Sequence, residues 1–156
     1  VGLGMGQGFQ PVASFNYQAK KVDRVKKGLL FTTAFGLVFI GAMSTISIIF
    51  AEPIITIFQK HPDVIAIGAK ALRFTAIGMM FMPFSVPVNM LYQSIQQPTI
   101  SSVLSLIRSG MVTIPLLLFA VPILGLLGIQ LAQPIADIVA GLISIPFIIR
   151  FLRKTE

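Results

Sequence analysis

Two charges stand deep inside long apolar stretches. Arg108 interrupts the apolar run 100–121, and Asp137 interrupts the run 128–151. Alone in hydrocarbon, a guanidinium or a carboxylate costs several kcal/mol; paired, the two cost much less. By the helical rise, Arg108 sits about 12 Å in from one face of a bilayer and Asp137 about 13 Å in from the other, an offset that an arginine side chain can cover. The two are therefore expected to form an intramembrane charge pair. Its role is a clamp between neighbouring helices or a relay for a proton or cation through Asp137.

A second set lies in 74–97, "FTAIGMMFMPFSVPVNMLYQSIQQ". Asn89 and Gln93 are four residues apart and so share one helix face, a turn below Ser85. Lipid cannot solvate that face, so it is expected against another helix or a water-filled cavity. Met79 and Met82, beside Phe81 and Phe84, offer a soft apolar surface that adapts to many shapes; they face lipid as filler or line a substrate cavity. Pro83 and Pro87 each remove a backbone donor, so this helix should be kinked or locally unwound, with free carbonyls near Met79 and Pro83.

The third set is "GLGMGQGFQP", Gly2 to Pro11. A phosphate-cradling loop needs a preceding strand and glycines at set spacing before a helix, and neither the strand nor a following Gly-Lys-Ser/Thr is present. On a helix the same residues form two interleaved pairs, Gly2 with Gly6 and Gly4 with Gly8, a spacing that lets membrane helices approach closely. Gln7 and Gln10 point into whatever that contact surrounds. Pro11 should break the ladder, making this a polar, discontinuous helix end of the kind that binds substrates in transporters.

Enzyme chemistry has little to work with. One histidine, His61, no cysteine and five acids assemble no nucleophile–base pair, no metal centre and no disulfide. The chain is not expected to be an enzyme and no resident cofactor is expected.

The elements that must position these residues are long apolar helices. More than half of the 156 residues are hydrophobic and only 11% are charged, more apolar surface than a soluble domain of this size can hide. An all-α membrane protein is the result, because strands of alternating pattern are absent. Four stretches can cross a bilayer core of about 30 Å: 29–51, 74–97, 100–121 and 128–151. Residues 1–17 read as the end of a further transmembrane helix, residues 18–28 as a cytoplasmic loop, and the whole as a fragment of a longer protein.

A net charge of +7 could suggest nucleic acid, but the basic residues collect in short runs between apolar stretches, so no nucleic-acid partner is expected. Five of the twelve lie between Lys20 and Lys27, and Arg150, Arg153 and Lys154 form a second cluster. Four spans separate the clusters, which places both on the cytoplasmic side. Residues 63–73 are expected as a helical turn or two at the opposite interface, with long basic side chains snorkelling to water.

Gln7-Gly8, Gln10-Pro11, Asn16-Tyr17, Ala19 and Arg24-Val25-Lys26 together resemble the end of the eighth helix and the following loop of the multidrug and toxic compound extrusion (MATE) family. Arg108, Pro115, the Gly125–Gly128 turn and Pro134 to Asp137, "PIAD", are similar to the family's last two helices. The resemblance implies a twelve-helix transporter of two six-helix lobes around a central cavity, of which this chain is most of the second lobe. It implies export of cationic or amphipathic compounds in exchange for Na+ or H+ by alternating access, in a bacterial or archaeal cell membrane. The partners it implies are membrane lipid, the missing N-terminal lobe and a small cationic substrate.

Two departures stand out. Gln18 occupies a position that is usually glycine in the family, removing the residue best suited to a tight turn after Tyr17. No acid occurs in 74–97, where some branches place a cation-binding carboxylate; if the chain follows the other branches, the coupling site lies in the first lobe. The alternatives are a lipid-linked oligosaccharide flippase of related architecture, disfavoured by a single deep cationic residue, and a non-transporting membrane scaffold, disfavoured by the paired prolines and the polar face.

Overall fold

The structure, a computed structural model, describes residues 2–58 and 60–153. Lys154 of the second basic cluster lies outside the described residues. All regular structure among them is helical: α1 (Gly2–Gln18), α2 (Val22–Ile49), α3 (Ala51–Phe58), α4 (Pro62–Met79), α5 (Met82–Ser94), α6 (Pro98–Leu106), a π-helical turn (Ile107–Met111), α7 (Thr113–Leu124) and α8 (Leu126–Arg153).

Hydropathy marks where water begins, whereas capping marks where a helix begins, and the two differ in several places. α2 starts at Val22, with Asp23 in its first turn where a carboxylate suits the helix dipole. Only residues 19–21 remain as the link from α1. α4 starts at Pro62, directly after the extended His61, with Asp63 in its first turn; proline at the first helical position gives up a donor that has no partner there anyway. Residues 63–73 are thus continuous with the following span instead of lying as a separate interfacial turn. Glu52 and Pro53 sit in the first turn of α3, a short helix of its own.

Pro11 does not break α1, which runs unbroken from Gly2 to Gln18 with Pro11 inside it. The expected discontinuous helix end is therefore absent. Proline removes one rung, the bond to the carbonyl of Gln7, and membrane helices tolerate such a loss when the rest of the ladder holds. The double proline of the next element acts more strongly. α4 and α5 meet at a bend of 49° at Met80 and Phe81. There Met80 donates to Ile77 and Phe81 to Gly78 in tight turns, since Pro83 has no N–H for the carbonyl of Met79.

α5 is the centre of the bundle, packed against α1, α2, α6 and α8, while α4 and α7 lie against α8. Glycines make two of the closest of these contacts possible, at the two faces of α8 that meet α4 and the bend. A Cβ on Gly78 of α4 would stand 2.6 Å from the Pro134 backbone of α8, and one on Gly141 of α8 would stand 2.6 Å from Phe81. The main core joins Phe9, Ala13, Val25, Leu29, Leu91 and Phe151 at the end of the bundle that carries the basic residues. Much of the rest is apolar and uncovered; Phe119 and Ile123 of α7 are 73% and 80% exposed, which suits hydrocarbon and not water. α2, α6 with α7, and α8 are each long and apolar enough to cross a membrane, and the bent α4–α5 pair supplies a fourth crossing if counted as one span.

Candidate functional site

A cleft of about 210 Å³ opens between α5, α6 and α8, lined by Ser85, Asn89, Gln93, Ser105, Arg108 and Ser144. Its polarity follows from helix register. Ser85, Asn89 and Gln93 succeed one another at four-residue steps on α5, Ser105 lies one turn before Arg108, and Ser144 lies two turns after Asp137.

Three helices share one run of hydrogen bonds along this cleft. Gln10 of α1 donates from Nε2 to Gln93 Oε1 at 3.3 Å, Gln93 donates from Nε2 to Asn89 Oδ1 at 2.8 Å, and Asn89 Nδ2 donates to the Ser105 hydroxyl. Every amide in this relay is used once as a donor, and the direction is the same throughout. Ser94, one helical step beyond Gln93, also ties α5 to α1 by donating to the Gln10 carbonyl at 3.1 Å.

At the far wall the two intramembrane charges meet. Arg108 Nε lies 3.0 Å from Asp137 Oδ1, with the carboxylate side chain 5% and the guanidinium side chain 24% exposed. Gln133, one turn before Asp137, donates to its second oxygen, Oδ2, at 3.4 Å. Both carboxylate oxygens therefore accept bonds. The pair bridges α8 and the π-helical turn, bringing opposite charge to opposite charge with no net charge left in the cleft.

Arg108 reaches Asp137 from a backbone that is not α-helical. Over Ile107–Met111 the ladder lengthens, with Val112 N bonding to Ile107 O, and the Thr113 hydroxyl donates to the Arg108 carbonyl at 3.0 Å. Pro115 lies one turn on and cannot donate to Met111, so the carbonyls of this turn need other partners. A π turn inserts one residue into the helix and rotates the segment before it against the segment after it, a device often found at functional sites.

The other sequence-predicted residues fall elsewhere. Met79 and Met82 line a different, largely apolar cleft of about 460 Å³ between α2 and α4, with Phe39, Met43, Ser47 and Thr75. The structure thus separates the methionines from Asn89 and Gln93. Gln7 is exposed on α1, away from both clefts. Gly6 faces α5, where an added Cβ would lie 2.7 Å from Val86 Cγ1, whereas Gly4 and Gly8 have nothing within 4 Å among the described residues. The surroundings of Gly2 lie outside the described residues.

Sequence reasoning passed over Ser105, Ser144 and Gln133. Their signal was available in register, since each is three, four or seven residues from a residue already singled out. The π turn had no such signal beyond Pro115.

The MatE family model matches residues 1–119 of this chain. No curated protein matches the sequence. Two solved structures share the fold, the outward-facing and the inward-facing conformations of a multidrug resistance MATE family transporter of the MOP superfamily. Each is 20% identical and covers 99% of this chain, with TM-scores of 0.86 and 0.84. The chain spans 36% and 37% of those two chains, a little over a third of their length.

Proposed function

The chain belongs to the MatE family, and on that premise we propose that it forms most of the second lobe of a secondary active antiporter. The whole protein exports cationic or amphipathic compounds in exchange for Na+ or H+, by alternating access of two lobes across a cell membrane, with both ends of the four-span unit cytoplasmic. The coupling site belongs to the first lobe, because the α4–α5 span contains no carboxylate within 74–97.

The observation that carries this reading is the polar cleft itself. In a bundle whose outer surface is hydrocarbon-compatible, three helices turn amides and hydroxyls toward a space of about 210 Å³. Amide dipoles and a neutralised ion pair can receive a cationic amphiphile without opposing its charge. Arg108 and Asp137 serve as a clamp between the π turn and α8, since both carboxylate oxygens are already engaged. The near-equal similarity to an outward-facing and an inward-facing structure supports motion of this segment as one body. A flippase for anionic head groups fits less well, as the one deep cation is spent on Asp137.

The test is efflux of an organic cation such as ethidium by the full-length protein. Changing Asn89 and Gln93 together to leucine is expected to lower efflux at least about tenfold, equivalent to about 1.4 kcal/mol of lost interaction. Undiminished efflux at equal expression would remove the cleft as the substrate path.

A further inference from the structure

A second polar site lies at the opposite end of α5 from the bend, and the transport reading makes no use of it. α1 and α5 both end here in the same way. Lys20 donates to the carbonyl of Tyr17 and Lys21 to that of Asn16; Gln96 donates to Gln93 and Gln97 to Tyr92. These are the paired bonds of the Schellman motif. Its left-handed position usually falls to glycine, yet here it is occupied by Lys20 at φ 58° and Gln96 at φ 59°. The turn after Tyr17 is thus made without a glycine, two residues beyond Gln18.

The two turns hold open a pair of adjoining clefts. One, of about 170 Å³, is lined by Tyr17, Tyr92, Gln97, Ile100, Arg150 and Phe151. The other, of about 420 Å³, shares Tyr17 and is lined also by Gln18, Lys20, Ser94 and Gln96. One wall is fixed, because the Tyr92 ring meets Phe147 edge-on at 5.8 Å and its hydroxyl donates to the Phe147 carbonyl at 3.5 Å. The other walls present hydroxyl, amide, ammonium and guanidinium groups above an apolar floor.

Among the described residues, no ion pair answers the charges here. The ion pairs His61 with Asp63, Arg73 with Glu52 and Arg108 with Asp137 do not involve Arg150 or Lys20. A concave site with two cations, several neutral donors and an apolar base suits a phosphate attached to something apolar. Tyrosine is also the side chain favoured at the level of lipid head groups.

We propose that these clefts form a binding site for a phosphate-bearing anion, the phosphodiester of an anionic lipid, held by Arg150 and Lys20 with Tyr17 between them. The apolar base formed by Ile100 and Phe151 takes the lipid's glycerol and first methylenes, which is what distinguishes a headgroup from a free phosphate ion. The site would anchor α1, α5 and α8 to one leaflet at a point away from the transport cleft.

The test uses the full-length protein in nanodiscs of phosphatidylcholine, with and without phosphatidylglycerol, reading the thermal midpoint and the lipid adducts retained in native mass spectrometry. Phosphatidylglycerol is expected to raise the midpoint of the native protein. The double variant Lys20→Gln/Arg150→Gln should lose more than half of that rise while matching the native midpoint in phosphatidylcholine alone. Lys27→Gln/Arg153→Gln removes the same charge from the same end but touches neither cleft, and should keep the rise. Equal losses in the two double variants, or no rise in the native protein, would overturn the site. Inorganic phosphate added to phosphatidylcholine discs should give no rise; a full rise would overturn the lipid as source. If the first double variant fails to fold, Tyr17→Phe gives the same reading through its adduct count, and an unchanged count overturns the proposal.

Discussion

Leucine at Asp137 is the most informative single change. At 3.0 Å the two charges attract by about 5 kcal/mol at an effective dielectric near 20. Most of that attraction offsets the cost of taking both ions out of water. Breaking a buried pair from one side therefore costs about 3–5 kcal/mol, chiefly the penalty on the charge left behind. Arg108 keeps a quarter of its side-chain surface open to the cleft, so partial rehydration puts Asp137→Leu at the low end, about 3 kcal/mol. Arg108→Leu strands the deeper Asp137 with only Gln133, and should cost about 4 kcal/mol by the same reasoning.

The double variant leaves no charge unpaired and should return to within about 1–2 kcal/mol of the native protein. Denaturant unfolding of the full-length protein in detergent, followed by far-ultraviolet circular dichroism, measures all four corners of the cycle. A coupling of at least about 2 kcal/mol is expected, against at most about 0.5 for independent sites. Additive single effects would refute the clamp. A double variant that is stable but no longer exports substrate would instead give the pair the relay role.

Deleting Ser109 should remove the extra residue of the π turn and rotate Arg108 by about 100° relative to α7; in that background Asp137→Leu is expected to cost less than about 1 kcal/mol in the same unfolding assay, because the pair is already lost. Gly78→Ala and Gly141→Ala each press a methyl group onto packed backbone or Cβ at 2.6 Å, so each should destabilise by about 1–3 kcal/mol. Gly125→Ala meets nothing within 4 Å but sits at φ 57° and ψ −126°; a cost of about 1–3 kcal/mol in a thermal scan would come from conformation alone. Gly110→Ala, with only Ile114 Cδ1 at 3.9 Å, is the matched control and should stay within about 0.5 kcal/mol.

What could be read from the residue order was whatever hydrocarbon penalises. Arg108 and Asp137 stood out because an isolated charge there has so few solutions, and Asn89 with Gln93 because four-residue spacing makes one face. Register also carried Ser105, Gln133 and Ser144, once the first residues were known. Boundaries were less legible, as α2 and α4 show: the hydropathy of 29–51 and 74–97 marks the apolar part of each helix, while Asp23 and the His61-Pro62-Asp63 start extend them toward water.

The hidden features share a physical cause, which is departure from simple α-helical periodicity. The π turn sits at Arg108 and the left-handed Lys20 and Gln96 border the basic clefts, whereas the bend at Met80 and Phe81 was legible in Pro83 and Pro87. Each hidden feature is a place where backbone groups leave the regular ladder, within the membrane at the π turn and at exposed helix ends at Lys20 and Gln96. An unbroken helix presents its side chains in one fixed order. A bundle of such helices would close its own clefts by regular packing, and it is the irregular residues, hardest to see in the chain, that keep space open beside the polar ones.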